Sequence, residues 1–247
     1  MNQPEQTAFY QGQLDVFCAA YAVLNALRFL HGIRPLEARR LLHEALCDVA
    51  RDPEIFQAVL DQRTDYITWV DAMLERQIRQ GGLCAEAPFA AAPRPALCAE
   101  SSAPSPRPDV PVVPSPDADT IWHTLADWLA GGADRCALFQ FIRFPPVGRG
   151  SIRHWTCCAG VEGRELVLYD CSREPGALTR IARGRLIADE TARAPETVLV
   201  PPHTIRLVWT RLARGCRETA HRPYERVSRR EDRRALGVMR KNAGGNQ

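Results

Sequence analysis

The chain has 247 residues, 45% hydrophobic and 25% charged, enough to form a core without disulfide or metal staples. No stretch approaches the roughly 20 apolar residues of a membrane span, and the opening Met-Asn-Gln-Pro-Glu-Gln is expected to carry no secretory signal. The net charge of +3 is unevenly spread: Arg211–Gln247 holds eleven basic and four acidic residues, so the first 210 residues are net negative. Every basic residue except Lys241 is arginine, a bias expected of GC-rich bacterial coding. The nine cysteines are odd in number, irregularly spaced and contain no CxxC pair. That argues against a zinc ribbon or a thioredoxin-type motif and for a reduced, cytoplasmic setting.

In chain order, Phe17–Gly32 reads as a helix, with Phe17, Tyr21, Leu24 and Leu27 on one apolar stripe and Gly32 as its stop. Pro35 opens a second helix, running to about Leu46. Two more follow near Pro53–Asp61 and Ile67–Gln80, the last ended by Gly81-Gly82. Residues 84–118 are dominated by Ala, Pro and Ser and are expected to form a mobile linker or insertion with no helix or central strand. A fifth helix spans Ala118–Ala130.

The pattern then turns to strands, near Cys136–Phe144, Ile152–Val161, Glu165–Asp170, Arg180–Ile187 and Thr204–Arg211. Helices first and a sheet last predict an α+β domain over residues 1–214 with an antiparallel sheet. Residues 215–247 form a basic tail, expected to be disordered.

One cysteine stands where chemistry would want it. Cys18 follows the polar loop Gln11-Gly-Gln-Leu-Asp and opens the first helix, with Asp15 as the expected N-cap. Unsatisfied amides and the helix dipole favour a thiolate there, although the Asp15 carboxylate opposes it. An imidazolium partner is needed. Of six histidines, His154 lies in a strand whose neighbour ends at Asp170. A three-residue hairpin loop over 161–163, with glycine third, would pair 160 with 164 and 154 with 170, whereas a two-residue loop would shift the pairing by one and make that relation less direct. Asp170 would then fix the ring tautomer and leave the other nitrogen for Cys18. The amide of Gln11, or alternatively Gln13, with the Cys18 backbone N–H, could hold an oxyanion. Trp155, Cys157 and Cys158 are expected to pack the sheet. Adjacent strand residues face opposite sides, which argues against a metal site.

The segments QGQLDVFCAAYAVLNAL and HWTCCAGVEGRELVLYD resemble the papain-like cysteine peptidases, nearest to the bacterial peptidase C39-like group. Ala19 stands where that group often has glycine, and Cys171-Ser172 follows Asp170 in place of a proline. The resemblance implies a papain-like α+β fold, with an N-terminal helical lobe headed by Cys18 and a C-terminal sheet carrying His154 and Asp170. It implies hydrolysis of a peptide or isopeptide bond in a peptide or protein substrate, with Cys18, His154, Asp170 and Gln11 catalytic and no cofactor or metal. The same residues would serve a transglutaminase-like acyltransferase. A catalytically silent adaptor using the arginine-rich tail is the reading from another class. Nucleic-acid binding by that tail lacks the aromatic residues that would support it. A translocated effector would look the same as a cytoplasmic enzyme.

Overall fold

The structure is a computed structural model, and it describes residues 7–11, 16–64, 66–89, 115–144, 151–172 and 177–211. These lie in one compact unit, Gln6–Leu212. The expected tail 215–247 falls outside them, as do Gln13, Asp15 and most of the Pro-rich segment.

Four helices come first: α1 (Cys18–His31), α2 (Pro35–Val49), α3 (Pro53–Leu60) and α4 (Ile67–Arg79). A short strand, β1 (Leu83–Glu86), precedes α5 (Ala118–Ala130). Seven strands follow: β2 (Arg135–Arg143), β3 (Ile152–Glu162), β4 (Glu165–Tyr169), β5 (Arg180–Ala182), β6 (Leu186–Ile187), β7 (Val198–Leu199) and β8 (Arg206–Thr210). The result is α+β with a mostly antiparallel open sheet, in which β1-β8-β2-β3-β4-β5 is the main order and β7 pairs with β2 and, in parallel, with β6.

Local chemistry sets the helix ends. Gly32 stops α1 at φ 66°, the left-handed region that glycine enters without penalty. Pro35 and Pro53 occupy the first turns of α2 and α3. The carboxylates of Asp52 and Asp117 accept from backbone amides of α3 and α5. No side chain caps α1, whose first helical residue is Cys18 itself.

The sheet is covered on both faces, which is why β2 reads as an almost unbroken apolar run. Cys136 and Leu138 join Trp155 and Cys157 against α1 and α4, while Ala137, Phe139 and Phe141 join Cys158 against α5. Ala19, Ala20, Ala22 and Ala26 bury nearly all their surface and let α1 lie close to the sheet. Asp71 of α4 accepts two bonds from Arg206 of β8, at 2.6 and 2.8 Å.

Three expectations need correction. Cys84–Glu86, read as linker, is part of β1; it sits at the sheet edge, pairing only β8, where the proline after it breaks no further ladder. The stretch near Arg180–Ile187 is two strands split by a 3-10 turn at Arg183–Arg185. The β3–β4 hairpin pairs Glu162 with Glu165, so its loop is Gly163-Arg164 and not residues 161–163. Gly163, at φ 57°, takes the first loop position, where a type II′ turn requires positive φ. The two glutamates facing each other are both bridged by Arg180, at 2.6 and 3.3 Å.

One buried polar residue of α1 holds the chain segment ahead of the helix. Asn25 is fully buried; its Oδ1 accepts from Phe9 N at 2.7 Å and its Nδ2 donates to Phe9 O at 3.2 Å. Arg28 adds a bond to Thr7 O and stacks over the Phe9 ring. Replacing Asn25 by Ala strands both backbone groups of Phe9, and each buried unpaired group costs about 1–3 kcal/mol. Urea denaturation of Asn25→Ala should therefore show a loss of about 2–4 kcal/mol; a loss below about 0.5 kcal/mol would mean the clamp is not structural.

Candidate active site

Cys18 sits at the first helical position of α1, where the backbone amides point outward without intrahelical partners and stabilise negative charge. His154 lies on β3 and Asp170 just beyond the end of β4. His154 Nε2 donates to Asp170 Oδ1 at 2.9 Å. That fixes the tautomer and leaves Nδ1 as the nitrogen open to Cys18, which lies near enough to favour the charged ring.

The predicted register did not deliver this pair directly. Near the turn the pairing is Glu162 with Glu165, Val161 with Leu166 and Gly160 with Val167. Continued unbroken, it would set Asp170 opposite Cys157 and put it on the other face from His154. A β-bulge between Cys158 and Gly160 shifts the ladder by one residue, so that Cys158 pairs Leu168 and Cys157 pairs Tyr169. Extended one step, Asp170 falls opposite Thr156. His154 is then a diagonal neighbour of Asp170 on the same face, close enough for the observed bond.

The electrostatics follow from burial. Burial opposes charge on His154. Its bonds to Asp170 and Cys171, the nearby Cys18 and the Asp170 charge outweigh that and hold its pKa well above the usual imidazole value. One buried oxygen of Asp170, Oδ2, has no hydrogen-bond partner among the described residues, so the His154 ring is the main group balancing that carboxylate.

A second thiol stands beside the pair. Cys171 Sγ is 3.6 Å from His154 Nε2 and donates to Gln11 Oε1 at 3.5 Å, while Gln11 N donates to Cys171 O at 3.0 Å. The loop ahead of α1 is thereby tied to the residue after Asp170. With Oε1 engaged, the amide NH2 of Gln11 is the end able to donate to an oxyanion. Burial raises the Cys171 pKa, so this thiol stays protonated at neutral pH. Cys18 faces a cavity of about 270 Å³ that it shares with Gln11, Tyr66, Gln140, Arg153 and His154; Cys171 does not line it.

The loop between α3 and α4 forms another wall. Gln62 (φ 55°) and Tyr66 (φ 60°) both take left-handed backbone, a strained choice for a bulky residue. The Tyr66 hydroxyl donates to Val59 O at 3.0 Å. Burial and then the nearby Cys18 charge push its pKa up to about 12, so it remains a neutral phenol.

The structure thus brings Cys18, His154, Asp170 and Gln11 together, and Gln13 lies outside the described residues. Trp155, Cys157 and Cys158 are packed in the core, the two cysteines on opposite faces. Reading the sequence missed Cys171, Gln140, Arg153 and Tyr66; the adjacency of Cys171 to Asp170 was the one available signal. His154, Asp170 and Cys171 offer three ligand atoms within 4.8 Å of one another. These are the described residues able to hold a metal, although the ring nitrogen and carboxylate are already bonded to each other. Comparison with known proteins found no matching family model, no similar curated protein and no similar solved structure.

The raised pKa of His154 has a stability consequence with a definite sign. A group protonated more readily in the folded state contributes fully below its unfolded value, about 6.5, and loses that contribution as pH rises through the raised folded value. The stability difference between wild type and His154→Gln, from denaturant unfolding, should be largest below about pH 6.5 and shrink as the pH rises above it. A difference that grows with pH would contradict the charged ring.

Proposed function

We propose that the protein is a papain-like cysteine peptidase that cleaves a peptide or isopeptide bond through Cys18, His154 and Asp170. The observation that carries this reading is that Cys18, at a helix start, and His154 line one cavity, with Asp170 bonded to the ring. His154 Nδ1 takes the thiol proton, and the sulfur attacks the substrate carbonyl. Negative charge moves to the carbonyl oxygen, which the Gln11 amide and the Cys18 backbone N–H stabilise. The oxyanion collapses, the C–N bond breaks, and His154 gives its proton to the leaving amine. Water, deprotonated by the same ring, then releases the acid and restores the thiol. These steps call for no cofactor.

Asp170 acts in this scheme as an orienting carboxylate and Cys171 as a brace. Cys171 holds Gln11 from the side opposite the cavity and keeps the post-strand segment against the loop. The papain-like arrangement is supported by helices α1–α4 preceding the sheet and by the meeting of a helix start with a strand histidine. The seven described cysteines are free, which supports a reducing, cytoplasmic setting within the same proposal. No described helix is long and apolar enough to cross a membrane. An amine in place of water would make the same site an acyltransferase, and mass spectrometry of products with and without added amine separates the two outcomes.

Iodoacetamide should alkylate Cys18 at least tenfold faster than the exposed Cys47 near neutral pH, while buried Cys171 stays unmodified in the folded protein. Equal rates at Cys18 and Cys47 would sink the nucleophile assignment. On any cleaved substrate, Cys18→Ala should lose on the order of 10³-fold or more in kcat/KM and Gln11→Ala on the order of 10²-fold. If Cys18→Ala retains full turnover, the reading fails.

A further inference from the structure

The cavity over Cys18 carries a charge pattern that the cleavage chemistry does not use. On the face of β2 and β3 that packs under α1 and α4, Cys136, Leu138, Trp155 and Cys157 belong to the apolar core. Strand alternation places Gln140 and Arg153 next on that face: Gln140 pairs Trp155 and Ile142 pairs Arg153, so the two are diagonal neighbours. Here the core stops being apolar and becomes the cavity wall.

Neither side chain is engaged by another described residue, and both line the cavity, Arg153 from an exposed position and Gln140 from a buried one. Gln140 is only 4% exposed; its backbone N–H donates to Thr204 Oγ1, while its side-chain amide bonds none of the described residues. The amide is not sealed in the core, so its bonding capacity is open to the cavity it lines. Arg153 makes no ion pair among the described residues. Arg206, one strand over, makes a two-bond pair with Asp71. Among the described residues lining the cavity none is Asp or Glu, and the others that are polar include Gln62, Thr64 and Ser151, all able to donate. Arg153 and His154 leave opposite faces of β3 but line one cavity with Cys18, so a group bound by the guanidinium lies in the cavity that holds the sulfur.

We propose that this cavity selects acyl substrates that carry a carboxylate within a residue or two of the scissile amide, with Arg153 as its ion-pair partner and the Gln140 amide as a hydrogen-bond donor. The proposal rests on the peptidase reading for its chemistry, but its recognition step can be tested without turnover. The carboxylate can belong to an Asp or Glu side chain or to a free chain end.

The experiment uses the full chain carrying Cys18→Ser, which binds without cleaving, and alanine hexapeptides measured by calorimetry. Acetylated, amidated peptides carry Glu, Gln or Lys at each position in turn, and one all-alanine peptide keeps a free C-terminal carboxylate. The Glu series, or the free-end peptide, should bind about five- to tenfold more tightly than the Gln series, a contrast that falls as salt rises. Whichever of the two binds better identifies the source of the carboxylate. Arg153→Ala should reduce the Glu-to-Gln ratio to about one, and Arg153→Glu should reverse the order in favour of Lys. Gln140→Leu, which suits the surrounding core, should weaken the acidic peptide more than the neutral one. Equal binding of Glu, Gln and Lys peptides, or a preference that survives Arg153→Glu, overturns the proposal. Acidic selectivity together with no Cys18-dependent cleavage of the same peptides would instead retain the anion site and remove the peptidase reading.

Discussion

Between Cys158 and Gly160 the β3–β4 ladder slips by one residue, and the pairing of His154 with Asp170 depends on that slip. Strand side chains alternate faces with a period of two, so a shift by one residue exchanges the faces of everything beyond it. Without the extra residue on β3, Asp170 would project away from the ring it holds. The energetic contribution of a bulge is small, but its geometric effect here decides whether a carboxylate lies behind the imidazole at all. Bulges that redirect a side chain recur beside functional sites for this reason.

The sulfur is brought to the ring from the other side by independent means. α1 is alanine-rich where it meets the sheet, so its axis can approach closely and its first residue reaches the end of β3. The segment ahead of it is held twice: Asn25 grips Phe9, and Cys171 grips Gln11. The second contact joins the two halves of the site, because Cys171 follows Asp170 directly in the chain. Cys18, His154 and Gln11 are thereby held by one helix start, one bulged strand and one thiol brace. Preorganisation of this kind is what makes donors effective against developing charge. Gln140, Arg153 and residues of the strained Gln62–Tyr66 loop form the polar wall on which the proposed carboxylate preference rests.

Much of this was legible in the sequence, and the misses have physical causes. All five helices were readable because their apolar stripes are long and their ends are marked by Gly32, Pro35, Pro53, Gly81 and Gly131. β1 and β7, four and two residues long, are too short to show an alternation. Cys18, His154, Asp170 and Gln11 were legible because a helix start and a strand end are local features. The register between His154 and Asp170 was misread by way of the turn, since Val161-Glu162-Gly163 suits a three-residue loop as well as Gly163-Arg164 suits a two-residue one. Gly160 inside a strand was the sign of a bulge. Cys171, Gln140 and Arg153 could not be placed because their roles depend on which face of the sheet they occupy, and that depends on the bulge and on long-range packing.

The central claim is that Asp170 holds the His154 ring in its charged form beside Cys18. Nitrogen-detected NMR of the His154 ring reads that state directly. At about pH 7.5, a full unit above the ordinary imidazole value, the account requires a doubly protonated ring in the wild type and a shift toward the neutral form in Asp170→Asn. A ring that is neutral at that pH in the wild type, or one unchanged by removal of the carboxylate, would contradict it.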